Sequence, residues 1–288
     1  MGNQFFFIVG VMASLTTLYR LLKFIYPYCK PSKIRKYLVN DAYALVTGSS
    51  DGIGKAVATE LAGRGFNIIL HGRSAEKIQA VEKEIGMLYP KVKITYLIHD
   101  GSHNSQMDIS EIIKLNIKVL VNNVGVGPIK ELTNHSNAEI DHTITLNTAF
   151  PTQLTRNLLP YMEAEALILN VSSYAGFFPP PYLSVYAATK AYNNAFSVSL
   201  AREVAHKEVI SLITGSVNTG SNHKPVSFMR PAAATYAKHI IGVVGCGRKS
   251  IMPYWPHSIQ TFLISVLPER FVDRATKKAM QKEPGLAQ

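Results

Sequence analysis

Short apolar runs alternate with longer amphipathic stretches from Ala42 onward. The apolar runs are rich in Val, Ile and Leu and predict strands at Ala42–Val46, Asn67–Leu70, Lys93–Ile98, Val119–Val121, Ala166–Val171 and Val209–Ile213. The stretches between them predict helices at Lys55–Arg64, Glu76–Met87, Gln106–Leu115, Ala138–Tyr161 and Tyr186–His206. Strand–helix alternation of this kind predicts an α/β fold with a doubly wound parallel sheet, covered by helices on both faces.

A continuous apolar stretch precedes this alternating region. Phe5 to Leu22 is apolar apart from a few hydroxyl residues and Arg20, which approaches the roughly 20 residues that a helix needs to cross a bilayer. The positive charges follow the stretch, which by the positive-inside rule leaves the body of the chain on the cytosolic side. We expect a membrane-anchor helix that either spans the bilayer or lies in its interface.

Charge and composition narrow the classes of partner. Of the net charge of +11, six cations and no acid lie within residues 1–40. The rest of the chain shows no basic stripe, so nucleic-acid binding is not expected. The two cysteines, Cys29 and Cys246, lie far apart, and the histidines form no His-Glu-x-x-His motif, so no metal site is expected. We predict an anchor with a basic flank at 1–40, one nucleotide-binding domain at 41–270 and a basic tail at 271–288.

A glycine-rich loop follows the first predicted strand and opens the first predicted helix. In this setting backbone N–H groups and the positive end of the helix converge on a pyrophosphate. Glycine is required there because a Cβ atom would collide with the dinucleotide. The loop predicts a Rossmann-type site, with contacts from Thr47, Gly48, Ser50, Asp51, Gly52, Ile53 and Gly54.

The end of the second strand indicates which dinucleotide binds. An NAD enzyme places an acid there for the ribose hydroxyls, whereas NADP needs a cation for its 2′-phosphate. Gly72 stands at the position of the acid and Arg73 follows it. The cofactor is therefore predicted to be NADP(H), with Arg73 at the phosphate.

A proton donor is predicted to face the nicotinamide. Of four Tyr-x-x-x-Lys pairs, only Tyr186/Lys190 has a serine, Ser173, thirteen residues upstream at the end of a predicted strand. Lys190 lies one helical turn from Tyr186 and is expected to lower its pKa and to hold the nicotinamide ribose. Tyr186 would then protonate a developing alkoxide while Ser173 binds the carbonyl oxygen.

The glycine spacing, the Asn122-Asn123-Val124-Gly125 element and the Ser-Tyr-Lys set together resemble the short-chain dehydrogenase/reductase superfamily. Its membrane-bound very-long-chain 3-oxoacyl-CoA reductases and 17-beta-hydroxysteroid dehydrogenases share Pro181–Tyr186 and Tyr254–His257 with this chain. The resemblance implies an oxidoreductase whose Asn147 holds a water that leads to Lys190. It also implies cofactor contacts from Asp100, Asn123, Gly125, Val217 and Thr219.

The resemblance further implies an endoplasmic reticulum membrane enzyme that faces the cytosol and uses NADPH to reduce a lipid-like ketone, a 3-oxoacyl-CoA above all. The loop Thr214–Thr219 lacks the usual Pro-Gly and the segment to Arg230 is short, so a steroid or a polyketide- or terpenoid-type ketone stays open. A non-catalytic NADP-binding scaffold is a third reading. Cations that would suit a coenzyme A path are Lys224, Arg230, Lys238, Arg248 and Lys249. Small residues on the Tyr186 helix, Ala187, Ala188, Ala191 and Ala195, are compatible with a homodimer.

Overall fold

The computed structural model of the protein describes residues 2–103 and 107–283. Its strands are β1 (Tyr43–Val46), β2 (Asn67–Gly72), β3 (Ile94–Ile98), β4 (Ile117–Asn122), β5 (Leu167–Ser173), β6 (Glu208–Thr214) and β7 (Ser250–Ile251). Within the described ranges they form one sheet in the order β3-β2-β1-β4-β5-β6-β7, and each neighbouring pair is parallel. The order reverses between β1 and β4, and the crevice at that switch point is where such sheets bind ligands. The predicted doubly wound Rossmann-type fold is confirmed.

The helices are α1 (Gly2–Cys29), α2 (Gly52–Gly63), α3 (Ala75–Leu88), α4 (Asn137–Ile144), α5 (Phe150–Leu158), α6 (Ser184–Glu203), α7 (Ala233–Gly242), α8 (Trp255–Ser265) and α9 (Glu269–Met280). Alternate residues of the central strands face opposite cores. Val46 packs in the core that α2, α3 and α7 cover, whereas Leu45 packs in the core under α5 and α6. Every residue of β1, β2 and β4 is buried, which explains why their sequences are apolar without alternation.

Two helix predictions need correction. The expected helix Ala138–Tyr161 is instead α4, a π-helical turn at Thr145–Ala149, α5 and a 3-10 turn. The expected helix Gln106–Leu115 is wrong, and Gln106 lies outside the described residues. Only a 3-10 turn at Ile112–Lys114 forms there, because the Asp108 carboxylate accepts a hydrogen bond from the backbone N–H of Ser110 at 2.9 Å and favours a turn.

Helix α1 is hydrogen-bonded to the body of the protein near its carboxyl end. The Tyr28 hydroxyl bonds with the Met252 carbonyl at 2.9 Å and with the Ser258 hydroxyl at 2.8 Å. The helical segment Asn3–Cys29 is long enough to cross a membrane, and its most apolar 18-residue part has a mean hydropathy of 1.8 and no buried residues. Helix α9 crosses the predicted domain boundary at residue 270, and residues 284–288 of the predicted tail lie outside the described residues.

Candidate active site

The glycine loop turns sharply between β1 and α2. Gly48 and Gly52 have φ angles of +62° and +59°, a region that favours glycine. A Cβ atom on Gly54 would lie 2.2 Å from the Gly48 carbonyl oxygen, so only glycine fits there without moving the backbone. The Asp51 side chain makes no capping hydrogen bond to α2, which leaves the N–H groups of the first turn available to phosphate oxygens. The cradle fits a dinucleotide pyrophosphate.

Buried polar contacts hold the glycine loop against β4. The Thr47 hydroxyl accepts hydrogen bonds from the backbone N–H of Asn123 at 2.9 Å and of Val124 at 3.2 Å. The Asn123 side chain donates in return to the carbonyls of Thr47 at 3.0 Å and Gly48 at 3.3 Å. Thr47 is fully buried, and its hydroxyl is therefore occupied in positioning the loop.

The loop after β6 forms the opposite wall of the crevice. A Cβ atom on Gly52 would lie 3.3 Å from the Thr219 Cβ, and one on Gly220 would lie 1.7 Å from a carboxylate oxygen of Asp51. Val217 is buried in the adjoining core. The structure therefore places Thr219 against the glycine loop and packs Val217 behind it.

Tyr186, Lys190 and Ser173 converge at the carboxyl end of β5. Tyr186 and Lys190 lie one turn apart on α6, and the Lys190 Nζ lies 5.6 Å from the centroid of the Tyr186 ring. That Nζ donates to the Val171 carbonyl at 2.9 Å. The Ser173 side chain lies close enough to Tyr186 to lower the pKa of its hydroxyl. The three predicted catalytic side chains thus form one cluster.

The protonation equilibria of the cluster reflect its burial. Burial raises the pKa of Tyr186, and the Ser173 side chain acts in the opposite direction. Burial lowers the pKa of Lys190 to about 8. The sequence predicts that Lys190 lowers the pKa of Tyr186, but desolvation determines the direction in this structure. The Lys190 ammonium donates a hydrogen bond to the Val171 carbonyl.

Asn147 lies in the π-helical turn between α4 and α5 and is fully buried. Its amide oxygen accepts from the Val126 N–H at 2.9 Å, and its amide nitrogen donates to the Val126 carbonyl at 2.8 Å and the Thr189 hydroxyl at 3.0 Å. A Cβ atom on Gly125 would lie 3.1 Å from the Lys190 Nζ and 3.3 Å from the Asn147 Oδ1. Asn147 and Lys190 therefore meet beside Gly125.

The two residues predicted to contact the adenosine half lie at the ends of β2 and β3. Arg73 is exposed just after β2, in a strand end that carries no acid. The Asp100 carboxylate accepts from the Ser102 N–H at 3.0 Å and from its hydroxyl at 2.7 Å. These hydrogen bonds, with smaller contributions from His103 and Arg73, lower the pKa of Asp100. Asp100 is thus ionised and fixed in a local turn.

His71 is a residue of the site that sequence reasoning missed. Its imidazole is buried at the end of β2 and stacks on Phe150 with a centroid distance of 5.1 Å. Its Nδ1 accepts from the Gly48 N–H at 3.4 Å, and burial lowers its pKa to about 4, so it is neutral at pH 7. The available signal in the sequence was a lone histidine at the end of an apolar strand. In the structure the His71 side chain supports the turn of the glycine loop.

An apolar cavity of about 760 Å³ lies beside Tyr186. Its walls include Val126 and Ile129 from the loop after β4, Leu183 from the start of α6, and Ser221 from the loop after β6. This volume falls within the range of small-molecule sites. The arrangement can bind a ketone with its oxygen between Ser173 and Tyr186 and its apolar remainder in the cavity.

Comparisons with known proteins agree with this geometry. The family model described as short chain dehydrogenase matches residues 42–230. Hydroxysteroid dehydrogenase-like protein 1 of Gallus gallus is 38% identical, covering 79% of this chain and 72% of its own length. Very-long-chain 3-oxoacyl-CoA reductase-like protein At1g24470 of Arabidopsis thaliana is 32% identical, covering 84% and 81%.

Two further matches are a relative described as inactive and a solved structure with the same fold. The inactive hydroxysteroid dehydrogenase-like protein 1 of Homo sapiens is 36% identical, covering 79% of this chain and 72% of its own length. The solved structure of a short-chain dehydrogenase from Sphingobium yanoikuyae in complex with NADPH superposes with a TM-score of 0.65 at 23% identity. That superposition covers 79% of this chain and 97% of that one.

Proposed function

The chain belongs to the short-chain dehydrogenase family of oxidoreductases, and we propose that it is an NADPH-dependent reductase of a lipid-like ketone. The observation that carries the proposal is the Ser173–Tyr186–Lys190 cluster, whose Tyr186 lines the apolar cavity. A binding scaffold needs no buried tyrosine hydroxyl beside a buried ammonium. The intact set therefore favours catalysis over the inactivity of the human relative.

The cofactor proposal rests on the crevice and on Arg73. The glycine cradle accepts a pyrophosphate, and the exposed Arg73 after β2 meets no competing acid on that strand. A guanidinium suits a 2′-phosphate because it can form paired, charge-assisted hydrogen bonds. The NADPH bound to the similar Sphingobium yanoikuyae enzyme is consistent with this choice. When bound, the nicotinamide would supply the hydride for the reduction.

The residues of the cluster would divide the remaining work. The Ser173 hydroxyl would donate a hydrogen bond to the substrate carbonyl oxygen, and the Tyr186 hydroxyl would transfer its proton to that oxygen as charge develops. The Lys190 ammonium, at 5.6 Å from the Tyr186 ring centroid, would stabilise the tyrosinate left behind. Asn147 would hold a water beside Gly125 through which Lys190 exchanges protons with solvent.

Substrate class is proposed from the cavity and the relatives. A largely apolar volume of about 760 Å³ suits an acyl chain or a fused-ring ketone. The name of the Arabidopsis thaliana relative favours a 3-oxoacyl-CoA, which would be reduced to the 3-hydroxyacyl-CoA. The name of the Gallus gallus relative favours a steroid ketone as the second candidate.

The structure leaves fewer cations for the predicted coenzyme A path than the sequence offers. Lys224 pairs with Glu283, and the Arg230 Nε donates to the Ser216 hydroxyl at 2.9 Å. Arg248 and Lys249 line a different cavity, at the opposite edge of the sheet. Lys238 lies beside the Gly52 crevice, and Arg230 keeps its positive charge because its hydrogen-bond partners are neutral, so these two cations remain candidates for the path.

Membrane attachment through α1 is part of the proposal. Phe6, Phe7 and Met12 of α1 are 73%, 72% and 63% exposed, as expected of side chains that face lipid. The exposed apolar side chains of α8 continue that surface, because Ile259 and Phe262 share an apolar cavity with Leu21 and Phe24 of α1. We propose an endoplasmic reticulum anchor with the catalytic domain in the cytosol, which protease protection of sealed microsomes tests.

A homodimer through α6 is also proposed. Ala187 is buried in the core, but Ala188, Ala191 and Ala195 are exposed on the same helix. Exposed small residues allow two helices to approach closely. The mass of the detergent-solubilised protein, compared with that of an Ala191→Glu variant, tests this face.

The reductase proposal is tested with a substrate panel. Detergent-solubilised protein is mixed with NADPH and, in parallel, with a long-chain 3-oxoacyl-CoA, the matching free 3-oxo acid and a 17-oxosteroid. Oxidation of NADPH by the thioester alone supports the acyl-CoA reading, and oxidation by the steroid moves the substrate to the second candidate. NADPH binding without turnover of any ketone contradicts the reductase proposal.

A further inference from the structure

A second cavity lies at the amino-terminal edge of the sheet, far from the candidate active site. It has a volume of about 390 Å³ and is bounded by the segment after α1, the turn before β6 and the loop between α7 and β7. Strand β5 has seven residues and separates this edge from Ser173 by about 20 Å, at a rise of roughly 3.3 Å per residue. We refer to it as the amino-edge cavity.

Positive charge dominates the amino-edge cavity. Its cations are Lys33, Lys36, Lys207, Arg248 and Lys249, with His206 beside them. Its carboxylates are Glu165 and Glu208. Five cations against two carboxylates leave an excess of three positive charges in one concave site, which is the pattern that attracts a multiply charged anion.

The two carboxylates do not neutralise the remaining cations. Glu208 accepts hydrogen bonds from the Tyr37 hydroxyl at 2.6 Å and from the Gly245 N–H at 2.7 Å, one on each oxygen. Glu165 pairs with Lys36 at 3.2 Å, and both side chains are half exposed. The Arg248 guanidinium donates to the Lys23 carbonyl, which brings no negative charge.

Lys207 is a cation of the cavity that has no carboxylate partner among the described residues. It is 9% exposed, and no hydrogen bond or ion pair of its ammonium is found among the described residues. The neighbouring buried cation, Lys118, has its own carboxylate in Glu163. The Lys207 ammonium reaches the cavity without a carboxylate of its own, so it is available to pair with an anion there.

The site is also built rather than a chance cluster of mobile lysines. The stem of Lys33 packs against Gly245, where a Cβ atom would lie 2.6 Å from the Lys33 Cβ, and Gly245 has a φ of +76°. Lys33 follows the end of α1 by four residues. The Lys30 Nζ donates to the Val244 carbonyl at 2.6 Å and ties the same segment to the cavity wall. The cavity is therefore held open directly below the proposed membrane anchor.

We propose that the amino-edge cavity binds a phosphate monoester, with Lys33, Lys207 and Lys249 as its charge partners. Phosphate oxygens satisfy several ammonium groups at once through charge-assisted hydrogen bonds. The ligand is a lipid headgroup such as that of phosphatidic acid if the cavity faces the bilayer, or a soluble phosphate if it faces the cytosol.

The test uses the full-length protein in neutral detergent with saturating NADPH, so that the crevice at the glycine loop is filled. Dioleoyl phosphatidic acid and inorganic pyrophosphate are titrated separately, and bound ligand is counted by native mass spectrometry, with phosphatidylcholine as the neutral comparison. The proposal expects one tightly bound phosphatidic acid or one pyrophosphate per chain. Phosphatidic acid that pyrophosphate does not displace identifies the lipid source, and pyrophosphate alone identifies the soluble one.

Matched variants assign the binding to the cavity. The double variant Lys33→Gln/Lys249→Gln should lower the affinity for the probe at least tenfold. The control Lys77→Gln/Lys83→Gln makes the same change in charge at exposed α3 positions and should alter that affinity less than twofold. Lys207→Gln should act like the cavity pair and Lys207→Arg should restore binding, with thermal unfolding showing that each variant is folded. Equal losses in both double variants, or no stoichiometric binding to the unmodified chain, would overturn the proposal.

Discussion

Replacing Gly54 with alanine tests the cofactor cradle most sharply. The added Cβ would lie 2.2 Å from the Gly48 carbonyl oxygen and 2.5 Å from the Asn123 Nδ2, whereas real Cβ contacts stay above 3.0 Å. The Gly48 carbonyl must therefore move by about 0.8 Å, and it belongs to the turn that shapes the pyrophosphate site. Overpacking of this size costs about 1–3 kcal/mol, which corresponds to a roughly 5- to 150-fold loss if it appears wholly in NADPH affinity.

The assay measures NADPH binding by calorimetry together with the midpoint of thermal unfolding. Gly86→Ala is the matched control, because its Cβ would meet nothing within 4 Å and it lies inside α3. That control should bind NADPH normally and gain up to about 1 kcal/mol in stability from the helix propensity of alanine. A Gly54→Ala protein that binds NADPH as tightly as the unmodified chain would refute the cradle as described.

Three further predictions concern the buried polar groups and Arg73. Lys190→Met should abolish turnover yet stabilise the cofactor-free protein at pH 7 by up to about 3 kcal/mol, since the pKa of Lys190 falls from 10.5 to about 8 on burial. Between pH 8 and 10.5 the unfolded chain binds more protons than the folded one, so the unmodified protein should gain stability as the pH rises through that window. The stability advantage of Lys190→Met over the unmodified protein should therefore shrink, and urea unfolding at several pH values measures this. Asn147→Leu should lose about 2–4 kcal/mol in the same unfolding assay, because it leaves both Val126 backbone groups without partners, whereas Thr148→Ala should lose less than about 1 kcal/mol. Arg73→Glu should shift the ratio of NADPH to NADH affinity toward NADH by at least roughly tenfold, and an unchanged ratio would remove Arg73 from the 2′-phosphate site.

Sequence reasoning located the sheet well because buried parallel strands have an unmistakable composition. All residues of β4 are buried, and an apolar run with turn residues on both sides predicts that state directly. The six predicted strands are present, and β2 and β5 extend beyond their predicted ends to Gly72 and Ser173. These last paired residues were not predicted because they are not apolar. The tyrosine and lysine of the site were also predictable, since their separation of four residues needs only a helix.

The secondary-structure predictions failed where tertiary contacts, and not the local sequence pattern, determine the backbone conformation. The apolar residues of the predicted helix Gln106–Leu115 have helical spacing, but they pack into the core beneath β4 from an irregular segment, apart from Ile112–Lys114. The π-helical turn at Asn147 depends on bonds to Val126, which is 21 residues away. Helices α7 to α9 and strand β7 follow an irregular loop and were not predicted. No clear apolar run after that loop indicated where strands and helices begin to alternate again.

The measurement that tests the central claim most directly is paired NADPH binding and ketone reduction by Tyr186→Phe. The substitution removes one hydroxyl from the cluster with Ser173 and leaves the ring above Lys190 in place. We expect NADPH affinity within about twofold of the unmodified chain and a loss of reduction of roughly 10³-fold or more, since general acid catalysis contributes up to about 10⁴-fold. Undiminished reduction of the ketone by the Tyr186→Phe protein would contradict the assignment of Tyr186 as proton donor.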